Sequence, residues 1–287
     1  MAISDLNGRL LEFLIVKDIF DNHNCNLPQS TIYNQNRDIE KVNIVDVNLL
    51  KKFIISSTKI RLKLLEKFDL ENSTIIRHSD SSGVDGDVSD ITIVNNLSGK
   101  KINLSIKHNH MALKHQRPAS TPQQIGFSKK SKEDLVFRWN YKKIFDDFIN
   151  ESNKINPQVI FYSEVIDIIP SSLYSPICKL VSDFLNQYGK DSVKSNNYMR
   201  FLIGNTNFTK IIVNDKDIHF YMFQDLPNSN SMISKVISEN TILVDFNNGI
   251  KVKMRIHTAS SRFITNSLKF DTQPFELNIP FETISII

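Results

Sequence analysis

The sequence predicts a mixed α/β protein with a β-rich C-terminal subregion, and three observations carry that reading. Residues 4–68 hold two long stretches with apolar residues at helical spacing. Residues 91–109 hold two short β-branched runs joined by a turn. Towards the C-terminus the segments become short and β-branched or aromatic, the signature of strands.

The elements follow in order. "SDLNGRLLEFLIVKDIFDN" predicts a helix, with Ser4, Asp5 or Asn7 available as its cap and an apolar stripe beginning at Leu6, Leu10, Phe13 and Leu14. "NHNCNLPQSTIYNQNRD" lacks apolar periodicity and is expected to be a polar loop. "VDVNLLKKFIISSTKIRLKLLEKF" places apolar pairs between basic residues at helical spacing. An acidic, Gly-containing loop comes next, followed by strand "ITIV", turn "NNLSGKK" and strand "INLSIKHN". "SKEDLVFRWNYKKIFDDFINES" is a helix capped by Ser131, with Asp134 three residues on. "SLYSPICKLVSDFLNQYGK" is another, closed by Gly189. "FLIGN", "KIIVN", "IHFYMF", "TILVDF" and "IKVKMRIH" are expected strands, the last two joined through "NNG". The change of period suggests a soft boundary near 190: a core with N-terminal helices over 1–190 and a β-rich region over 191–287, or one domain.

At 287 residues the chain can bury a substantial core, and 40% hydrophobic with 23% charged residues argues against disorder. Cys25 and Cys178 are far apart and form no CxxC, so neither a disulfide scaffold nor a cysteine-based zinc site is indicated. No apolar run approaches the roughly 18–20 residues that span a bilayer. Asp5 and Arg9 precede the first apolar stretch, which makes a poor signal peptide. The expectation is a cytoplasmic protein without membrane contact. The net charge of +4 is mild, but its distribution is not: from Lys100 to Lys143 eleven Lys or Arg face two acids, Glu133 and Asp134. Such a cluster is the electrostatic footprint of phosphate binding, although a solvated helix face would also carry one.

The chemistry concentrates in "DSSGVDGDVSDITIVNNLSGKKINLSIKHNHMALKHQRP", residues 80–118. A hairpin brings the start of its first strand beside the end of its second, so Asp90 and Lys107 fall at one end of the sheet although 17 residues apart. Side-chain alternation points Ser105 and Lys107 to the same face. A carboxylate for a hard cation such as Mg²⁺, with a lysine to orient water and stabilise developing charge, is a set suited to phosphodiester hydrolysis. An EF-hand calcium loop is excluded, because Gly83 and Gly86 are misplaced and residue 91 is Ile.

This arrangement resembles the PD-(D/E)xK nuclease superfamily, and the wording is narrower still. "GDVSDITI" with "LSIKHNHMALKHQRPAS" resembles the HaeIII-like type II restriction endonucleases, as do "NGRLLEF" near the start and "MRIHTASSRFITNSLKFD" near the end. The resemblance implies a restriction-endonuclease-like mixed β-sheet core flanked by helices. It also implies Mg²⁺-dependent cleavage of double-stranded DNA leaving a 3′-hydroxyl and a 5′-phosphate, GGCC as a target, and a partner DNA methyltransferase protecting host DNA. A palindromic target would suit a homodimer.

Asp90 and the backbone carbonyl of Ile106 are then the expected metal ligands, and Lys107 the residue that orients and activates water. The acid of acid-x-Lys is replaced by Ser105, as in the family's own S-x-K, so a second carboxylate is needed. Glu12, flanked by Leu10, Leu11, Phe13 and Leu14, is the first candidate and Asp87 the second, because an unpaired charge at the edge of a buried face is costly.

His108, Asn109 and His110 spell HNH, but a ββα-metal nuclease spreads those residues over a longer module. His115 alone adds too few ligands for zinc. These residues, with Lys114 and Arg117, are expected to contact DNA. Gln116, Gln123 and Gln124 are possible base readers. Arg255, His257, Ser260, Arg262 and Lys269 form a second expected DNA-binding set. Two rival functions stay open: a repair or recombination nuclease of the same fold, and a non-catalytic DNA-binding protein, which would not need the Asp90–Lys107 pair.

Overall fold

The computed structural model describes residues 3–78, 89–263, 267–277 and 279–286. Its elements begin with helix α1 (Ile3–Asn22), strand β1 (Cys25–Asn26), helices α2 (Gln29–Asp38) and α3 (Val47–Leu65), and strands β2 (Ser73–Arg77), β3 (Ile91–Asn95) and β4 (Lys101–His108). Then come β5 (Lys114–Gln116), the short helix α4 (Thr121–Gln124), α5 (Lys132–Ile155), α6 (Ser175–Tyr188), α7 (Ser192–Ile203), β6 (Phe208–Val213) and β7 (Asp217–Phe223). Strands β8 (Ile233–Ser238), β9 (Thr241–Asp245), β10 (Ile250–Thr258), β11 (Leu268–Leu277) and β12 (Phe281–Ser285) complete the chain.

Two compact units interleave in sequence. The first comprises residues 1–111, 205–226 and 279–287, and the second 112–204 and 227–278. Residue 190, where the change of period suggests a division, lies inside the second unit between α6 and α7.

The first unit is built on a mixed seven-stranded sheet of order β1-β2-β3-β4-β6-β7-β12. β4 pairs antiparallel with β3 and parallel with β6, which makes it the central strand. Helix α1 packs against α3 and β4. Its buried residues Leu10, Leu11, Phe13, Leu14, Ile15, Val16 and Ile19 run around the helix rather than along one stripe, the pattern of a core helix. Each such side chain contributes roughly 1.5–3 kcal/mol of burial free energy. A carboxylate among them therefore needs a partner. Asp46 caps α3 by accepting from the Asn48 and Leu49 amides (2.9 and 3.1 Å).

The second unit carries an antiparallel five-stranded sheet, β5-β11-β10-β9-β8, with α5, α6 and α7. Ser131 caps α5 as the sequence indicates, accepting from the Asp134 amide at 3.2 Å. Gly189 does close α6, but in right-handed backbone; a Cβ there would lie 2.2 Å from the Met232 carbonyl oxygen, so close approach explains the glycine. The β9–β10 turn has Asn247 and Gly249 at positive φ (52° and 86°), as "NNG" requires.

Two expectations are corrected. The supposed polar loop contains α2, whose buried residues are Thr31, Asn34 and Asp38; a helix that buries polar side chains shows no apolar period. "FLIGN" is not a strand but the end of α7 with Gly204 as its cap at φ 137°; its apolar run is too short for periodicity to separate the two. Both cysteines are buried and free. No helix among the described residues is long and apolar enough to cross a membrane.

Candidate active site

The site lies in the first unit, where β3 begins and β4 runs past it. Asp90 precedes β3 and is fixed by its backbone: its N–H donates to the Leu104 carbonyl (2.8 Å) and its carbonyl accepts from the His78 N–H (2.9 Å). Beyond Leu104 the edge of β4 has no β3 partner, and the Asp90 side chain fills that place. Its Oδ2 accepts from the Ile106 amide at 2.6 Å, from Lys107 Nζ at 3.1 Å and from the Ser105 hydroxyl at 3.4 Å. Leu104 and Ile106 point into the core with the α1 side chains, which leaves Ser105 and Lys107 on the other face. Amide and carbonyl groups of alternate strand residues share a side, so the Ile106 carbonyl faces the same edge as its amide.

Glu12 enters from α1. Its Oε2 accepts from Arg77 Nε (3.2 Å) and Nη2 (3.0 Å). Burial raises its carboxyl to about 7, and the Asp90 carboxylate adds to the rise, while Arg77 and Lys107 oppose it. Asp90 and Lys107 thus lie close enough to act on the charge of Glu12. Asp87 lies outside the described residues.

Arg77, which the sequence reading missed, is 1% exposed and organises this side of the site. Besides Glu12 it reaches Asp38 Oδ2 (2.7 Å), the Arg9 carbonyl (3.0 Å), Gln35 Oε1 (3.1 Å) and the Asn34 carbonyl (3.4 Å). Asp38, fully buried, also binds Arg37 and Lys41. Burial, and then the neighbouring Arg37, Arg9 and Arg77, lower Lys41 to about 8. A sequence signal for Arg77 exists: in "STIIR" it shares the inward face with Ser73 and Ile75, so it demands a buried acid.

The donor set suits a hard divalent cation. The Asp90 carboxylate adds to the raised proton affinity of the buried Glu12, a strain that a bound cation relieves. Oxygen donors from carboxylates and a strand carbonyl favour Mg²⁺-like ions over zinc.

The shift of Glu12 sets a pH signature for the metal-free protein. Its folded value of about 7 exceeds its ordinary 4.5, so the folded state holds the proton more tightly. The protein therefore loses stability as pH rises from about 4.5 to about 7, by on the order of 3 kcal/mol for this group. Urea denaturation should show Glu12→Gln gaining on the wild type across that interval, and a saturating divalent ion reversing the trend. A stability difference that stays flat from pH 5 to 8 would refute the assignment.

The expected DNA-contacting residues disperse. His108 packs edge-on against Phe53, ring centroids 4.9 Å apart, and burial together with Lys52 holds it below the usual imidazole range. Asn109 sits at φ 52° with its amide on the Val213 carbonyl, and His110 is exposed. In the second unit Lys114 lies over the Phe201 ring at 4.0 Å. His115 and Arg117 are exposed. Arg255 is exposed, and Lys269 stands opposite His257 in the β10–β11 ladder. The Ser260 hydroxyl accepts from the Arg262 amide, and Arg262 forms a bridge to Phe161. Gln116 is not a base reader: it is buried and donates to Thr272 at 2.7 Å. Gln123 is held by Asp134 and Arg138, and Gln124 by the Arg117 carbonyl.

A mixed sheet of this order, flanked by helices, is a restriction-endonuclease-like α/β fold. The profile of the HaeIII restriction endonuclease family matches residues 8–226 and 223–277, and the chain belongs to that family. It is also similar to the type II restriction enzyme HaeIII of Haemophilus aegyptius, 26% identical over 309 aligned residues that cover 93% of each protein. No solved structure matches the chain significantly.

Proposed function

We propose that this protein is a Mg²⁺-dependent, site-specific endonuclease of double-stranded DNA, and that Asp90, Lys107 and Glu12 form its catalytic set. The observation that carries the reading is the Asp90–Lys107 contact at 3.1 Å beside the Glu12 carboxylate. Asp90, Glu12 and the Ile106 carbonyl would hold the cation. The chemistry a divalent ion supplies there is neutralisation of phosphate charge and a more acidic water.

The chain's own residues do the rest. Lys107, the residue after Ile106 on β4, donates to the attacking water and orients it on the phosphorus in line with the leaving 3′-oxygen. As the water–phosphorus bond forms and the bond to the 3′-oxygen breaks, the Lys107 cation stabilises charge on the phosphoryl oxygens. The water's proton leaves to solvent and the 3′-oxygen takes one up, giving a 3′-hydroxyl and a 5′-phosphate. Ser105 keeps Asp90 oriented through its hydroxyl. A non-catalytic DNA binder would have no use for this triad.

DNA contact is assigned to His110, His115, Arg117, Arg255, His257, Ser260, Arg262 and Lys269, with Asn109, His108 and Lys114 supporting the backbone around them. The β-rich region, 191–287 in the sequence reading, would contribute recognition. GGCC is the first target to test, a homodimer the expected assembly, and a DNA methyltransferase the functional partner. Incubating the purified protein with unmethylated phage DNA and Mg²⁺ should give discrete fragments bearing 5′-phosphates, and none in excess chelator. Intact DNA, or a smear independent of metal, would sink the proposal.

A further inference from the structure

The five-stranded sheet of the second unit has an apolar face and a polar one, and the strand register fixes which residues share each. Val252, Met254, Ile256 and Phe270 are buried together on the first. On the second, Arg255 stands directly opposite Asp271 and His257 opposite Lys269 across β10 and β11, while His115 of β5 flanks Asp271 on its other side. Arg255 and His115 flank one acid.

That acid is unusual in its burial. The Asp271 side chain is 5% exposed, whereas Arg255, with Nη2 3.9 Å from Asp271 Oδ2, is 62% exposed. Gln273 Nε2 donates to the same oxygen at 2.8 Å, and His115 Nδ1 lies 3.8 Å from Oδ1. Oδ1 is buried without a hydrogen-bond partner among the described residues. A carboxylate so placed is costly unless the polar groups around it are held there. Arg255 Nη2 lies within ion-pair range of Asp271 while most of the Arg255 side chain stays exposed and available to a ligand. A lysine binds any phosphate as a point charge, but a guanidinium fixed by a carboxylate offers a planar fork in one orientation. That fork matches the N7 and O6 acceptors of guanine in the major groove.

We propose that Arg255 reads a guanine of the target from the major-groove side, and that Asp271 is the positioning residue that orients it. The proposal rests on the endonuclease reading and adds the base, the groove and the residue pair. Lys269 supplies phosphate attraction on the same face, with His257 beside it as a further polar contact, and neither carries sequence information.

The test pairs protein and base variants. Once the wild type's cleavage site is mapped, each guanine of a synthetic site is replaced in turn by 7-deazaguanine, which lacks the N7 acceptor. Binding is measured by fluorescence anisotropy with Ca²⁺ in place of Mg²⁺. The wild type should weaken about tenfold at one guanine position, the loss of part of a bidentate contact. Arg255→Gln should weaken binding to the natural site by about 5- to 150-fold and show no further loss at that position, the non-additivity of two partners in one contact. Asp271→Asn should reduce the discrimination at that same guanine. Additive losses at every position would overturn the proposal. So would an Arg255→Gln defect equal on specific and random duplexes, which would make Arg255 a phosphate contact. Failure of the wild type to produce discrete fragments is a different result and would remove the endonuclease reading itself.

Discussion

Asp90→Ala and Lys107→Ala should each lower DNA cleavage by roughly a thousandfold or more, the scale on which metal-ligating and charge-stabilising groups act. Binding to the target in Ca²⁺ should stay within about tenfold of wild type, because neither group is assigned a base contact. The two losses should not multiply. Asp90 Oδ2 holds Lys107 Nζ at 3.1 Å, so the double variant should be little worse than either single one. Single-turnover cleavage of a short labelled duplex checks all three proteins, with urea denaturation to confirm that they fold. Cleavage within tenfold of wild type for either single variant would remove the catalytic assignment.

Arg77→Ala should be the most destabilising single change in the first unit outside its apolar core. The guanidinium is 1% exposed and neutralises Glu12 and Asp38 together. Its removal leaves two buried carboxylates with fewer cations between them, a loss of roughly 3–5 kcal/mol for a broken buried ion pair. Asp38 keeps Arg37 and Lys41, so most of the change should report on Glu12. The metal-free protein should show the deficit in urea, and the deficit should shrink in the Arg77→Ala, Glu12→Gln double variant. A single-variant loss below about 1 kcal/mol would mean that the network is solvated rather than load sharing. Arg77→Lys keeps the charge but not the planar fork, so it should fold and yet require more divalent ion for half-maximal DNA binding.

Much of the β3–β4 strand pair was legible because its information is local. The hairpin has a turn signal, its strands are β-branched, and period-2 alternation fixes which side chains share a face; Asp90 and Lys107 therefore meet as the spacing requires. Glu12 was legible through its contradiction, a carboxylate in an apolar helix. Its partner was not, because Arg77 lies 65 residues away and only the packing of α1 against the sheet brings them together. Helix α2 escaped for a related reason: its inward face is polar and bonds to β2 through Thr31 and Asn34, so no hydrophobic period marks it.

By itself, the sequence determined the α/β class, the order of most long elements, the hairpin that pairs an acid with a lysine, and the family resemblance written in those same residues. These follow from short-range rules of periodicity, turns and alternation. Only the tertiary structure decided that Arg77 joins Glu12 to Asp38, that Gln116 and Lys114 turn inward while His115 turns outward, and that two units share one interleaved chain. Those facts depend on burial and on contacts between distant segments, where the cost of an unpaired buried charge, rather than local preference, selects the arrangement.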